Sequence, residues 1–192
     1  MLYSLYARMT NTVADTMDEY VLERIAVDNA IRADLLLPFA ITRLRQAAAP
    51  SRQTILSVQL RDVPEAGESH RKLLLSWSAG DVAEDTTPLQ ERAITEWAAA
   101  GIACVLVPLY TSLRVLQVTQ AGDTFDYWVG DNSREYALEV SGTIQSNLAG
   151  RHAAKVRQLQ RNPYGVDGYV AVTRFASLEA IFSFSQYGER VK

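Results

Sequence analysis

The chain has 192 residues, of which 48% are apolar and 21% are charged, and its formal net charge is −3. This size and composition predict a globular protein that buries a core without disulfide or metal support. The slightly acidic balance excludes a general attraction to nucleic acid or anionic lipid. Binding of either must therefore depend on a local patch of basic residues.

The cysteine and histidine content and the first residues of the chain further limit the class of protein and its cellular compartment. Cys104 is the one cysteine and lies in an apolar run, which predicts a buried small hydrophobe. No Cys/His cluster has the spacing of a zinc site. The first residues lack the pattern of a signal peptide, and no uncharged apolar run is long enough to cross a bilayer. We therefore expect a cytoplasmic protein that does not enter a membrane.

The N-terminal part is predicted to be mainly helical. Ala14, Met17, Val21 and Ile25 recur at helical spacing, and a second helix is expected to end near Gln46. Pro38 predicts a break or kink just before that second helix.

Two short strands are expected to follow the helices. They cover Thr54–Leu60 and Lys72–Ser78, with a loop at Asp62–Arg71 between them. The polar stretch Asp81–Thr87 is the best candidate for a boundary. It divides the chain into a helical segment with a β-hairpin over residues 1–86 and a core over residues 87–192.

The core is predicted to begin with a helix. Thr87 has the features of an N-cap, Pro88 suits the first helical position, and the helix should continue through Trp97. Residues 102–107 fit either a continuation of this helix or a buried strand, and Pro108 is expected to end either one.

The rest of the core alternates between strands and one helix. Expected strands cover Leu113–Thr119, Phe125–Val129, Tyr136–Ser141, Gly168–Phe175 and Ala180–Phe184, and the helix covers Ser146–Gln160. The order from Thr87 is thus helix, three strands, helix, strand. It predicts an α/β fold with a mixed sheet flanked by helices, which combines antiparallel hairpins with a helical crossover.

A hairpin centred on Asn132–Ser133 carries the candidate chemistry. In that register Asp126 lies opposite Glu139, and side-chain alternation separates two faces. One face carries apolar residues, namely Phe125, Tyr127, Val129, Tyr136, Leu138 and Val140. The other carries Asp126, Trp128, Glu139 and Ser141.

Two carboxylates opposite each other on paired strands repel unless a cation lies between them. Magnesium binds through one or two carboxylates and keeps several waters, and it can activate water near a phosphoryl group. A general alternative is that both acids lie on a solvated face. Their position inside apolar strands, where acids are depleted, favours the metal site.

The helix that follows supplies positive charge. Between Ser141 and Val166 there are four basic residues, Arg151, Lys155, Arg157 and Arg161, and no acid. Arg151 and Lys155 are one turn apart, Gln158 extends their face, and His152 adds a donor. Such a stripe suits a phosphate backbone, although it also fits an ordinary solvated helix face.

The order of elements, with Asp126 on one strand and Glu139 on the next, resembles the restriction-endonuclease-like, or PD-(D/E)xK, superfamily of nucleases. The resemblance covers about residues 87–175. It implies the superfamily core α-β-β-β-α-β, here with a helical N-terminal extension. It also implies that Asp126 and Glu139 bind Mg²⁺ or Mn²⁺, with Glu96 on the preceding helix as an extra ligand.

The resemblance also assigns residues to catalysis and DNA binding. Ser141 stands where the superfamily usually has a lysine near the attacking water, and Lys155 is the nearest replacement. Arg151, Arg157 and Gln158 would bind DNA. The implied activity is hydrolysis of DNA phosphodiester bonds in restriction, repair or defence against mobile elements.

Two other classes of function remain open. The departure at Ser141 favours an inactive nuclease-like module that binds DNA or a partner protein, with the N-terminal helices as a docking surface. A third class is an interaction protein whose acids are solvated. A homo-oligomer is compatible with each class.

Overall fold

The computed structural model describes residues 17–48, 51–78, 90–120 and 122–188. The strands are β1 (Met17–Val21), β2 (Gln53–Val63), β3 (Gly67–Ser76), β4 (Arg114–Val118), β5 (Tyr127–Gly130), β6 (Glu135–Thr143), β7 (Gly168–Arg174) and β8 (Glu179–Ser185). The helices are α1 (Ile25–Asp28), α2 (Leu37–Ala48), α3 (Glu91–Tyr110) and α4 (Leu148–Leu159). Short 3-10 turns at Leu22–Arg24 and Ala33–Leu36 precede α1 and α2.

The described strands form one mixed sheet in the order β1-β3-β2-β8-β7-β6-β5-β4. The pairs β6–β7, β2–β8 and β1–β3 are parallel, and the remaining neighbours are antiparallel. The parallel pair β6–β7 requires a crossover, which α4 provides. The expected α/β class with a mixed sheet between helices is therefore confirmed.

Alternation along the strands creates a core on each face of the sheet. Leu138 and Val140 of β6 pack with the helices α2 and α3 in the larger core. Ala137 of β6 and Val170 of β7 point the other way and pack with Leu159 of α4. Because side chains alternate, Glu139 and Ser141 lie on the same face as Ala137, beneath α4.

Helix α3 is the central helix of the larger core. It continues through Gly101. Because Gly101 has no side chain, α3 can pack closely on α2, where a Cβ would lie only 3.1 Å from Ala40 Cβ. By length and composition α3 could cross a membrane, but 67% of its apolar stretch is buried inside the fold. That burial is typical of the core helix of a soluble protein.

The expectation that Pro108 ends this helix was wrong, because the helix continues to Tyr110. A proline removes the hydrogen bond to the carbonyl four residues earlier, here that of Cys104. The buried side chain of Asn29 donates to the Cys104 carbonyl oxygen at 2.9 Å and replaces the lost bond. A contact from a distant part of the chain thus satisfies the freed carbonyl.

The helix predicted through Met17 and Val21 was also wrong, because these residues form β1. Ala14 lies outside the described residues. Backbone hydrogen bonds with the edge of β3 stabilise the strand more than the weak helical spacing of the apolar residues favours a helix. Met17 and Val21 point outward from the fold, whereas Tyr20 is buried.

The second helix is confirmed, with Pro38 in its first turn, where a proline is tolerated. The hairpin of β2 and β3 is longer than expected, and residues 64–66 form the turn instead of a loop at Asp62–Arg71. The predicted boundary at Asp81–Thr87 and the predicted cap at Thr87 lie outside the described residues. The sheet itself extends without interruption from β4 to β1 through the β2–β8 pair.

Gly168, at the start of β7, offers a test of the sheet packing. A Cβ at this position would lie 2.4 Å from the carbonyl oxygen of Ala137 in β6, so backbone would have to move. We expect Gly168→Ala to lower the free energy of unfolding by about 2 kcal/mol, measured by urea denaturation. The matched control is Gly150→Ala in α4, where the nearest atom is the end of the Asn147 side chain at 3.3 Å. Equal stability of both variants would contradict the close approach of β6 and β7.

Candidate functional site

The hairpin register predicted from the sequence is confirmed. Tyr127 pairs with Leu138 and Val129 with Tyr136, and the turn closes with a bond from Asp131 N–H to the Arg134 carbonyl. Asp126 is one residue before β5, and its N–H still donates to the Leu138 carbonyl at 3.0 Å. Asp126 and Glu139 are therefore next to each other, as expected.

Glu139 is the most deeply placed acid of the site, with an exposed side-chain fraction of 0%. Its Oε1 accepts a hydrogen bond from Lys155 Nζ of α4, while its Oε2 is buried without a partner in the described part of the chain. Burial and, to a smaller extent, the charge of Asp126 raise the pKa of Glu139 and Lys155 lowers it, and together they place this pKa at about 7. The carboxyl therefore loses its proton near neutral pH.

Asp126 precedes the first residue of β5, so the N–H of Val140 in β6 has no β5 carbonyl to bind. The side chain of Asp126 accepts this hydrogen bond instead. Its Oδ2 accepts from the N–H of Val140 at 2.8 Å. Burial raises the pKa of Asp126, whereas the Val140 N–H and the charge of Lys155 lower it. Because the charge of Asp126 raises the pKa of Glu139 and Lys155 lowers the pKa of both acids, the three groups form one electrostatic unit.

The expected apolar face of the hairpin needs one correction, at Phe125. This side chain packs with Trp128 and with the core under α4, not with Tyr127 and Val129. The chain bends at residues 124–126, so strict alternation does not extend back to Phe125. Trp128 lies on the predicted face, the one that carries Glu139.

A second set of contacts joins Ser141, Arg151 and Glu96. Arg151 Nε donates to Ser141 Oγ at 2.8 Å, and its Nη2 contacts Glu96 Oε1 at 3.1 Å. The other oxygen of Glu96 accepts from the N–H of Gly142 at 3.0 Å. The start of α3 can approach β6 this closely because Gly142 has no side chain, and a Cβ there would lie 2.3 Å from the Thr95 carbonyl oxygen.

Glu96 and Arg151 also line an open groove of about 540 Å³ between the start of α3 and the end of β6. Within the ranges that the structure describes, no group of three or more Asp, Glu, His or Cys side chains is arranged to hold a metal. Asp126 and Glu139 remain as the two-carboxylate candidate. The role of Glu96 as an extra ligand stays a prediction.

Helix α4 brings Lys155 and Gln158 to the acids. Gln158 Oε1 accepts from Lys155 Nζ at 3.1 Å, and Gln158 Nε2 donates to the Thr124 carbonyl at 2.9 Å. Gln158 therefore connects α4 to the segment that carries Asp126. Arg157 is exposed on α4 and has no ion pair within the described residues.

His152 does not face the site, contrary to expectation. Its side chain is buried between α4 and β8, with Nε2 at 2.7 Å from Ser183 Oγ, and this burial lowers its pKa to about 4. Sequence reasoning also missed that the Val140 N–H binds Asp126 and that Arg151 pairs with Glu96. Both contacts depend on where strands end, which residue spacing does not show.

In comparisons with known proteins, no protein-family model matches the chain, and neither a curated protein nor a solved structure matches it. The chemical interpretation of the site therefore depends on its own geometry.

The raised pKa of Glu139 predicts a pH dependence of stability. The native carboxyl titrates near pH 7, but the ordinary pKa is 4.5, so the native state binds more protons between these values. The free energy of unfolding should therefore fall as the pH rises from about 4.5 to about 7. Urea denaturation across this range in EDTA measures the slope.

Glu139→Gln keeps the shape of the side chain without its charge and should remove most of that slope. Asp126, whose pKa is also raised, would account for the remainder. Glu135→Gln, at an exposed position of the same strand, is the control and should retain the slope. An unchanged slope in Glu139→Gln would show that burial of this carboxylate does not control stability.

Proposed function

We propose that the protein is a Mg²⁺- or Mn²⁺-dependent nuclease that hydrolyses DNA phosphodiester bonds in the cytoplasm. The observation that carries the proposal is the fully buried carboxylate of Glu139 beside Asp126, one oxygen of which has no partner among the residues that the structure describes. Burying two adjacent acids is unfavourable, and such perturbed pairs are concentrated at functional sites. The observed order α3-β4-β5-β6-α4-β7 supports the resemblance to restriction-endonuclease-like proteins.

The residues fit a divalent ion of the magnesium type. Such ions bind through one or two carboxylates and keep several waters, so Asp126 and Glu139 are a sufficient set of protein ligands. When bound, the ion would supply an activated water and neutralise phosphoryl charge. The Oε2 of Glu139, which no described residue contacts by a hydrogen bond, is the atom of the site that most needs such a partner.

The other side chains would position the substrate. Lys155, which holds Glu139 and is hydrogen-bonded to Gln158, would orient the attacking water in place of a lysine at Ser141. Arg151 (35% exposed) and the exposed Arg157 would bind phosphates on either side of the reacting bond. The usual settings of the superfamily imply restriction, repair or defence against mobile elements.

Plasmid cleavage tests this assignment directly. With Mg²⁺ or Mn²⁺, Asp126→Asn and Glu139→Gln should each lower the rate of nicking by roughly 100-fold or more, because each loses one ligand charge. Glu135→Gln, with the same chemical change on the same strand, should cut like the wild type. Equal nicking by the wild type and both site variants would refute the assignment.

Metal binding gives a test that is independent of cleavage. Titration with Mn²⁺, followed by electron paramagnetic resonance, should show a site in the wild type that Asp126→Asn weakens at least tenfold. A crystal soaked in Mn²⁺ should place the ion between Asp126 and Glu139. Identical Mn²⁺ binding by the wild type and an Asp126→Asn, Glu139→Gln double variant would exclude this site.

A second candidate function is a non-cleaving module that binds DNA or a partner protein. It is favoured by Ser141, whose hydroxyl accepts from Arg151, and by Glu96, whose two oxygens are both engaged. In that case the protein would bind DNA or a partner but would cut with no metal. The cleavage and binding measurements together distinguish the two functions.

A further inference from the structure

Three aromatic rings lie beside the acid pair and extend from the core to the surface. The ring centroids of Phe125 and Trp128 are 4.9 Å apart, and those of Trp128 and Tyr164 are 5.2 Å apart. Phe125 is 3% exposed, whereas Tyr164 is 52% exposed. The group, called here the aromatic cluster, thus has a buried base and an open outer ring.

The outer ring is held in place from both ends. The hydroxyl of Tyr164 donates to Asp123 Oδ1 at 2.8 Å, and its N–H donates to Asn162 Oδ1 at 3.2 Å. Asn162 is itself buried and donates to the carbonyls of Leu159 and Val166. Tyr164 is therefore a fixed, exposed ring, which lowers the entropic cost of stacking a ligand on it.

The cluster is directly connected to the acid pair. Trp128 pairs with Ala137, two residues before Glu139 on β6, which corresponds to about 7 Å along the strand. Gln158 joins the two places, because it binds both Lys155 and the carbonyl of Thr124, the residue before Phe125. A ligand stacked on the cluster would have its neighbouring atoms within reach of the acids.

The charges around the cluster favour a base on it and a phosphate beside it. Arg157 and Arg161 are exposed on and just after α4, and neither has an ion pair within the described ranges. Asp123, at the outer edge of the cluster, would repel a phosphate but can accept a hydrogen bond from the N–H groups of a base. A nucleotide would therefore place its base over Tyr164 and its phosphate towards α4.

We propose that the aromatic cluster stacks an unpaired nucleobase, so that the substrate is DNA with single-stranded nucleotides at the site. This proposal rests on the proposed nuclease function and names its substrate class. In a duplex both faces of an interior base are covered by its neighbours, whereas an unpaired base offers a free face to an aromatic ring. The cluster therefore favours single strands, flaps or ends over intact duplex.

Fluorescence anisotropy with a labelled single-stranded oligonucleotide and the same sequence as a duplex tests the proposal. The full chain is used in EDTA, so that binding is measured without cleavage. The wild type should bind the single strand more tightly, and Tyr164→Leu should weaken that binding about tenfold while changing duplex binding less than twofold. Tyr164→Phe keeps the ring but loses the bond to Asp123, so it should bind the single strand less tightly than the wild type and more tightly than Tyr164→Leu.

Two further variants distinguish a specific loss of DNA binding from a loss caused by misfolding. Trp128→Leu should give the same selective loss, and Trp97→Leu, at an exposed aromatic residue that packs on Phe39 of α2, should give none. Circular dichroism confirms that each variant is folded. Equal binding of both DNA forms by the wild type, or no effect of Tyr164→Leu, would overturn the proposal.

Cleavage assays on the same DNA separate this proposal from the proposed function. Selective single-strand binding that depends on Tyr164, without cleavage under any metal, would support base stacking and refute hydrolysis. Cleavage of both DNA forms at equal rates by the wild type and Tyr164→Leu would support hydrolysis and overturn base stacking. Absence of binding to either DNA form would overturn base stacking.

Discussion

The site is organised around the burial of the Glu139 carboxylate beneath α4. Removing this group from water disfavours its charged form, and that effect is the largest cause of its raised pKa. Lys155 donates a hydrogen bond to Oε1 of this carboxylate, and Oε2 has no partner among the described residues. A buried ion pair of this kind is weak evidence for stability, so its presence in a well-packed region is better explained by function.

The surrounding fold keeps this group in place from three directions. Glu139 pairs with Val170 of β7, and the N–H of the next residue, Val140, is held by the Asp126 side chain, so Glu139 cannot move towards solvent without breaking these contacts. Helix α4 covers it through Lys155, and Gln158 ties the same helix to the segment before Asp126. The close contact of Gly142 with the start of α3 adds Glu96 and Arg151 at the end of the strand. The site therefore depends on the packing of two helices on opposite faces of one sheet.

The parts of the fold that were predicted correctly are those with a local signal. Alternation predicted the hairpin register, because a shift by one residue would turn Tyr127 and Val129 away from the larger core. It therefore also predicted that Asp126 and Glu139 are neighbours. Helical spacing likewise identified α4, including Leu148, Val156 and Leu159 on its inner face.

The parts that failed depend on contacts between distant residues. The helix passes Pro108 because Asn29, far away in the chain, binds the freed carbonyl. The segment Met17–Val21 is a strand because β3 offers an edge. At the site, the spacing that placed His152 near Arg151 could not show that it faces Ser183 instead. Sequence spacing predicts which side of an element a residue occupies, but not which partner it meets there.

The charge balance of the site explains how a proton and a divalent ion would compete. Three carboxylates interact at the site, those of Glu96, Asp126 and Glu139. Two cations, Lys155 and Arg151, pair with them. The site therefore carries one formal negative charge. With a pKa of about 7, Glu139 can remove that charge by holding a proton. If a divalent ion binds as proposed, it must displace this proton, since a metal ligand has to be deprotonated. Affinity for the ion should then increase as the pH rises through neutrality, and the same buried carboxyl that weakens the fold at high pH would become the group that binds the metal.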